Sequence, residues 1–315
     1  MMKTMSPRNL FLRIAFSFAM VMFCILGAKG QTTGLYFIAN NNTNAFSPTN
    51  PTNNWYLVPA SNSDGNGGIA NVTIDKWTWN NDANTPLVTT YKTQKDDNSV
   101  WAVVKSGDNY YLIHVLTGKY MTRNEGVGAN SNRRTFHMET NASPGNDALF
   151  NIISYPNKTY YSFNPITVTS GHRFMNPSNG NKATYYASAT TDGGYTVGGT
   201  IGLYDKDAEG DAGSKWFMET SPLLSAPVIT VNSTTGSCTI TWRGLTVSEL
   251  SSGYVIRYTV DGSDPVTDPN NTAEAYDGNP IYDQQINTNV KAVVIGHHDM
   301  QLTAIASETF NPAPP

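Results

Sequence analysis

Acidic side chains stand at alternate positions in Asp205, Asp207 and Glu209, followed by Gly210 and Asp211. Such spacing could converge carboxylate oxygens on a calcium ion, with the glycine permitting the turn. Counted from Asp205, the twelfth position should carry a bidentate Glu, and here it is Trp216. The run therefore reads as a solvated acidic loop, and no metal or cofactor is expected. Aromatic residues offer a second chemistry. Trp77-Thr-Trp79 would point two indoles to one face of a strand, and Tyr185-Tyr186 adds ring surface. Sugars present apolar C–H faces that stack on such rings, while Asn and Tyr groups hydrogen-bond their hydroxyls. Trp77, Trp79, Tyr185 and Tyr186 are the candidate ligand-binding residues, set against the ordinary use of Trp and Tyr in β cores.

Catalytic arrangements are not legible. Glycoside hydrolysis needs two carboxylates across a defined cleft, whereas Asp96-Asp97 and the acids of 205–211 read as loop residues. No catalytic residue is expected, and the chain reads as a non-enzyme. Histidines 114, 137, 172, 297 and 298 lack a recognisable metal spacing, and His297-His298 before Asp299 reads as an exposed hairpin turn. Gly193-Gly194 and Gly198-Gly199 lack the Lys-Ser/Thr of a phosphate cradle. Asp261 and Asp264 in Asp261-Gly-Ser-Asp264-Pro265 are explained by turn chemistry, since Asp caps its own backbone and Gly accepts positive φ.

The first thirty residues read as an address. Lys3, Arg8 and Arg13 precede the apolar run 14–26, and Ala28-Lys29-Gly30 puts small residues before a cut at Gln31. The apolar run is shorter than the roughly 20 residues of a membrane-spanning helix. Residues 1–30 are expected to be a signal peptide, leaving no membrane span, with the mature protein in the periplasm, on the outer cell surface or outside the cell. Removing Lys3, Arg8, Arg13 and Lys29 from 20 basic residues leaves 16 against 24 acids, a net charge of −8. Cys24 leaves with this segment, so Cys238 stays as a lone, structural cysteine.

Of 315 residues, 14% are charged and 34 are Asn, while 39% are hydrophobic and 11% aromatic. That is enough apolar surface for a core, so wholesale disorder is excluded. No basic run exists to track phosphates, so nucleic acid is not an expected partner. Strong helix formers are few, and Tyr, Thr, Val and Ile alternate between Asn/Gly/Pro loops, which predicts an all-β chain.

Ser221-Pro-Leu-Leu-Ser-Ala-Pro227 brackets a connector at 221–226 between a larger region, 34–220, and a smaller one, 227–311. The larger region carries a threefold repeat. Ser99-Val-Trp101, Ala148-Leu-Phe150 and Ser214-Lys-Trp216 mark one strand type met three times. Asn109-Tyr-Tyr and Thr159-Tyr-Tyr follow the first two at nearly equal offset. A first unit opens at Gly34-Leu-Tyr-Phe-Ile38, with strands expected near 55–58 and 87–91. Three units of four short strands fit a β-trefoil. This region resembles the ricin-type trefoil family through "NYYLIHVLTGKYMT" and the recurring aromatic strand. In that family a Gln-x-Trp marks the last strand of each unit; here Ser99, Ala148 and Ser214 stand at the Gln positions.

The smaller region reads as six or seven alternating strands, which suits an immunoglobulin-like β-sandwich. Its run "IRYTVDGSDP" followed by "PIYDQQINTNVKAVVI" resembles the chitobiase/β-hexosaminidase C-terminal-like domain, as found in secreted and surface proteins of Gram-negative bacteria. The resemblance implies an accessory module with no catalytic residues. Both resemblances imply an exported, non-catalytic carbohydrate-binding protein whose expected partner is a glycan or polysaccharide. The alternative is an adhesin-like or scaffold surface protein that binds a protein partner and has no sugar site.

Overall fold

The structure is a computed structural model, and it describes residues 31–40, 55–59, 89–92, 95–123, 136–139, 144–176, 190–192, 195–197, 201–282 and 289–309. The expected signal segment, 1–30, lies outside the described residues. The chain is all-β.

The larger region is built of three four-stranded units. The first holds β1 (Gly34–Asn40), β2 (Trp55–Pro59), β3 (Thr89–Lys92) and β4 (Val100–Ser106). The second holds β5 (Asn109–His114), β6 (Lys119–Arg123), β7 (Phe136–Glu139) and β8 (Leu149–Ser154). The third holds β9 (Tyr160–Pro165), β10 (Phe174–Asn176), β13 (Gly202–Tyr204) and β14 (Trp216–Thr220), with an inserted hairpin of β11 (Thr190–Asp192) and β12 (Tyr195–Val197). First and last strands of the units pair in a closed ring, β1-β4-β5-β8-β9-β14 and back to β1. The middle strands form hairpins β2–β3, β6–β7 and β10–β13. A ring closed this way has no free edge, and the arrangement is trefoil-like.

The repeated strand type has a local cause. Each last strand follows a short 3₁₀ turn, at Asp97–Ser99, Asn146–Ala148 and Ala212–Ser214. The Asp96 carboxylate accepts the Asn98 N–H at 2.9 Å, and Asp211 accepts that of Gly213 at 2.7 Å, satisfying donors a turn leaves open. Two residues on, Trp101, Phe150 and Trp216 enter the barrel, all fully buried. The Trp101 indole donates to the Leu57 carbonyl at 2.9 Å and that of Trp216 to the Met175 carbonyl at 2.8 Å, tying each last strand to its own unit's second strand. The first strands end on a matching latch: Asn40 Nδ2 donates to the Gly213 carbonyl, and His114 Nε2 lies 3.0 Å from the Asn98 carbonyl.

The three units differ in what their outer faces meet. Trp101 and Val103 of β4 face the barrel core, yet Val100, Ala102 and Val104 on the opposite face are buried too. The same holds in β1, where Tyr36 and Ile38 point inward and Leu35 and Phe37 outward. In β8 and β14 the outward positions hold Asn151 and Glu219, both exposed. A strand covered on both faces reads as a continuous apolar run, and one covered on a single face alternates.

The cover is the smaller region. It contains β15 (Val228–Asn232), β16 (Ser237–Thr241), β17 (Val255–Thr259), β18 (Glu274–Ala275), β19 (Ile281–Tyr282), β20 (Asn289–Ile295) and β21 (Ala306–Thr309). These form a three-stranded sheet, β15-β16-β19, and a four-stranded sheet, β18-β17-β20-β21. Cys238, Ile240, Ile256 and Val294 from the two sheets share one apolar cluster with Val100, Ala102, Val104 and Phe37 of the barrel. Cys238 is buried. The connector is held at both ends: the Ser221 N–H donates to the Leu35 carbonyl at 2.8 Å, and Leu224 bonds with Leu302 and Ala304, bridging in parallel to Thr303.

Polar contacts close the same junction. The Tyr254 hydroxyl donates to the Val115 carbonyl at 2.5 Å. The β5–β6 turn supplies Gly118 at φ +63°, where a Cβ would stand 2.9 Å from the Ser251 Cβ. Replacing Gly118 by Ala therefore adds both backbone strain and a clash at the junction. We expect Gly118→Ala to lower stability by about 1–3 kcal/mol, seen as a reduced urea midpoint. Trp216→Phe keeps most of the ring but orphans the Met175 carbonyl, and should cost about 1–3 kcal/mol in the same assay, with the native circular dichroism spectrum retained.

Candidate functional site

Trp77, Trp79, Tyr185 and Tyr186 lie outside the described residues. The acidic loop is described, and its oxygens are engaged locally. The Asp207 carboxylate accepts the N–H groups of Glu209 at 3.0 Å and Gly210 at 3.1 Å. Asp211 accepts from Gly213 N–H and from Asn176 Nδ2, both at 2.7 Å. Asp205 is exposed. Among the described residues no three His, Cys, Asp or Glu side chains are close enough to hold a metal ion. Buried Ser162 anchors the loop, its Oγ accepting the Ala208 N–H at 2.8 Å.

The loop instead borders an aromatic surface that the sequence did not single out. Phe217 of β14 is in register with Tyr160 of β9. The Tyr160 ring lies 6.4 Å from Phe217, edge-on, and 5.6 Å from Tyr155. All three rings are half-buried. The Tyr160 hydroxyl donates to Glu209 at 2.5 Å, and this bond pushes the phenol up to about 12. Lys215 Nζ sits 5.1 Å from the Tyr160 ring centre. Tyr155 is fixed by its hydroxyl's 2.8 Å bond with Ser162 Oγ. Three rings, a carboxylate and an ammonium thus meet on a part of the barrel wall outside the apolar cluster shared with the smaller region. The sequence signal lay in the alternation of Lys215, just before β14, with Phe217 and Glu219 on the outer face of that strand.

Turn chemistry accounts for the acids of the smaller region. Asp261 accepts the Ser263 hydroxyl at 2.6 Å and its N–H at 2.9 Å, which hold this carboxyl well below the usual range. Asp264 accepts the Val266 and Thr267 N–H groups.

The histidine pair departs from the expected exposed turn. His297 is half-buried at the junction, its Nε2 lying 3.0 Å from the Gly118 carbonyl and its ring 5.1 Å from Tyr120 and 5.7 Å from Tyr254. It fits because Gly253 at φ +83° has no side chain; a Cβ there would stand 2.3 Å from the imidazole. His298 stays exposed but stacks on Tyr111 at 5.4 Å. The turn brings them back because His298 and Asp299 both adopt positive φ. Burial, and then the neighbouring His298, lower the His297 pKa below its ordinary value. The folded state thus prefers neutral imidazole. Its contribution is complete above about pH 6.5, the ordinary value, and is lost as pH falls toward the depressed folded value. The urea midpoint should fall as pH drops below about 6.5, and His297→Gln should flatten that part of the profile.

A family model described as Fn3 associated matches residues 245–310. No curated protein matches the chain. Among solved structures, the chain is similar to the designed threefold-symmetric protein ThreeFoil, at 14% identity and TM-score 0.38 over 60% of this chain and 99% of that one. It is similar to a BEL β-trefoil at 11% identity and TM-score 0.36, over 62% of this chain and 99% of the other. A Polyporus squamosus lectin bound to a human-type influenza-binding epitope is 15% identical with TM-score 0.33, over 60% of this chain and 50% of the lectin.

Proposed function

We propose that the chain is an exported, non-catalytic carbohydrate-binding protein of a bacterial cell surface or periplasm. In this reading a ricin-like β-trefoil over 34–220 binds the glycan, and an immunoglobulin-like, chitobiase-type accessory sandwich over 227–311 braces it. The sandwich reading draws support from the three-plus-four strand order and the parallel Leu224–Thr303 bridge beside β21. One observation carries the function: the half-buried surface of Tyr155, Tyr160 and Phe217, edged by Glu209 and Lys215. Rings receive the apolar face of a sugar, while the carboxylate and ammonium can exchange hydrogen bonds with its hydroxyls. The Glu209 carboxylate is held by the Tyr160 hydroxyl at the edge of the rings.

The test uses the full chain, because its two regions share a core. On a glycan array the protein should bind a defined set of glycans. Tyr160→Ala and Phe217→Ala should each weaken binding about five- to tenfold, the loss of about 1 kcal/mol of ring stacking. Binding lost instead in Trp77→Ala or Trp79→Ala would move the site to that segment. Silence across the array from folded protein would overturn the carbohydrate reading and favour a scaffold that binds protein.

A further inference from the structure

The connector bonds to residues 302–304 up to Ala304, then crosses at Pro227 to the other sheet as β15. From there the strand pairs on one side only. Val228–Asn232 bonds to β16 through the register Val228–Thr241 to Asn232–Ser237, and β15 ends its sheet. The opposite edge of β15 has no strand partner among the described residues.

Free edges are normally blunted by charge, proline, a bulge or brevity. The other terminal strands of this region follow that rule. Strands β18 and β19 have two residues each, β18 with Glu274, and β21 carries Glu308. By contrast, β15 is five residues long, reads Val-Ile-Thr-Val-Asn, and contains no charge, proline or glycine. Four of its five residues are exposed, Val228 at 56% and Val231 at 37%.

We propose that β15 is a self-association edge, pairing antiparallel with β15 of a second copy about a two-fold axis through Thr230. The pattern of the strand selects this occupant. In that register Ile229 stands opposite Val231 of the other copy, and each Val231 opposite its Ile229. Ile229 already packs on the apolar cluster, and Val231 is paired with buried Cys238. The apolar row of one sheet would thus continue into that of the other, joining two three-stranded sheets into one of six. On the outer face Thr230 meets Thr230, and each Val228 meets Asn232. A one-residue slip would set the Ile229/Val231 row of one copy opposite the Val228/Thr230/Asn232 row of the other, breaking the shared apolar row. With no charge in the segment, the pairing sets no like charges opposite one another across the edge. Five paired residues bury less than a standard stable interface, so the association is weak and concentration-dependent.

Sedimentation equilibrium of the full chain across a concentration series tests this. Wild type should show a reversible monomer–dimer equilibrium. Thr230→Lys and Thr230→Glu, exposed changes that leave the monomer's melting unchanged, each place like charges opposite one another at the axis. Each should raise the dissociation constant about tenfold or more. An equimolar mixture of the two variants should regain dimer, a rescue that loss of folding cannot produce. Monomer at every concentration would overturn the proposal. So would a dimer unmoved by either variant, or single variants that lose dimer without rescue on mixing.

Discussion

Burial of the outer barrel face of β1 and β4 is the constraint on which the rest of the molecule depends. A barrel of six strands can fill its inside with its own side chains, and here Trp101, Phe150 and Trp216 do so. Its outside is normally wet. Leu35, Phe37, Val100, Ala102 and Val104 make one sector of that outside too apolar to leave in water, at roughly 25 cal/mol per Å². The smaller region needs a similar cover for Cys238, Ile240 and Ile256, having two short sheets and few residues. Each half therefore completes the other's core, and the tight contacts of Gly118, Gly253 and His297 follow from that closeness.

Much of this architecture was written in the sequence, because strands and turns have local causes. The aromatic strand met three times, the alternation in 227–311 and the Asp-Gly-Ser-Asp turn all follow from side-chain periodicity and backbone preference. What could not be read was which sector of the barrel is covered. The pattern was present: Val100-Trp-Ala-Val-Val104 is apolar at every position, whereas Trp216-Phe-Met-Glu-Thr220 ends on two polar, exposed residues. Only the pairing of distant segments gives that contrast its meaning. His297 illustrates the same limit. A His-His-Asp turn looks solvated in sequence, and nothing local announces that Gly253 leaves a recess for it or that Gly118, some 180 positions away, offers it a carbonyl.

The candidate site was legible only in part, for a related reason. Tyr160 and Phe217 sit on the first and last strands of the third unit, brought together by the register of β9 with β14, and Tyr155 joins them from the turn before β9. In sequence Tyr160 belongs to a repeat motif and looks like core. The acids of 205–211 drew attention by their spacing, yet that spacing serves to fold the loop: Asp207 caps it and Asp211 starts the next 3₁₀ turn. Glu209 accepts the Tyr160 hydroxyl at the edge of the rings.

The parallel bridge between Leu224 and Thr303 has a mechanical meaning. Chain enters the smaller region along one of these segments and leaves it soon after the other. If the trefoil were held and the far end of the chain pulled, the two segments would be drawn in opposite directions along their length. The bonds of Leu224 with Leu302 and Ala304 would then be loaded together, in shear, instead of parting one at a time. A bridge of two hydrogen bonds so oriented is a brake against tension, placed where a pull on either half must pass.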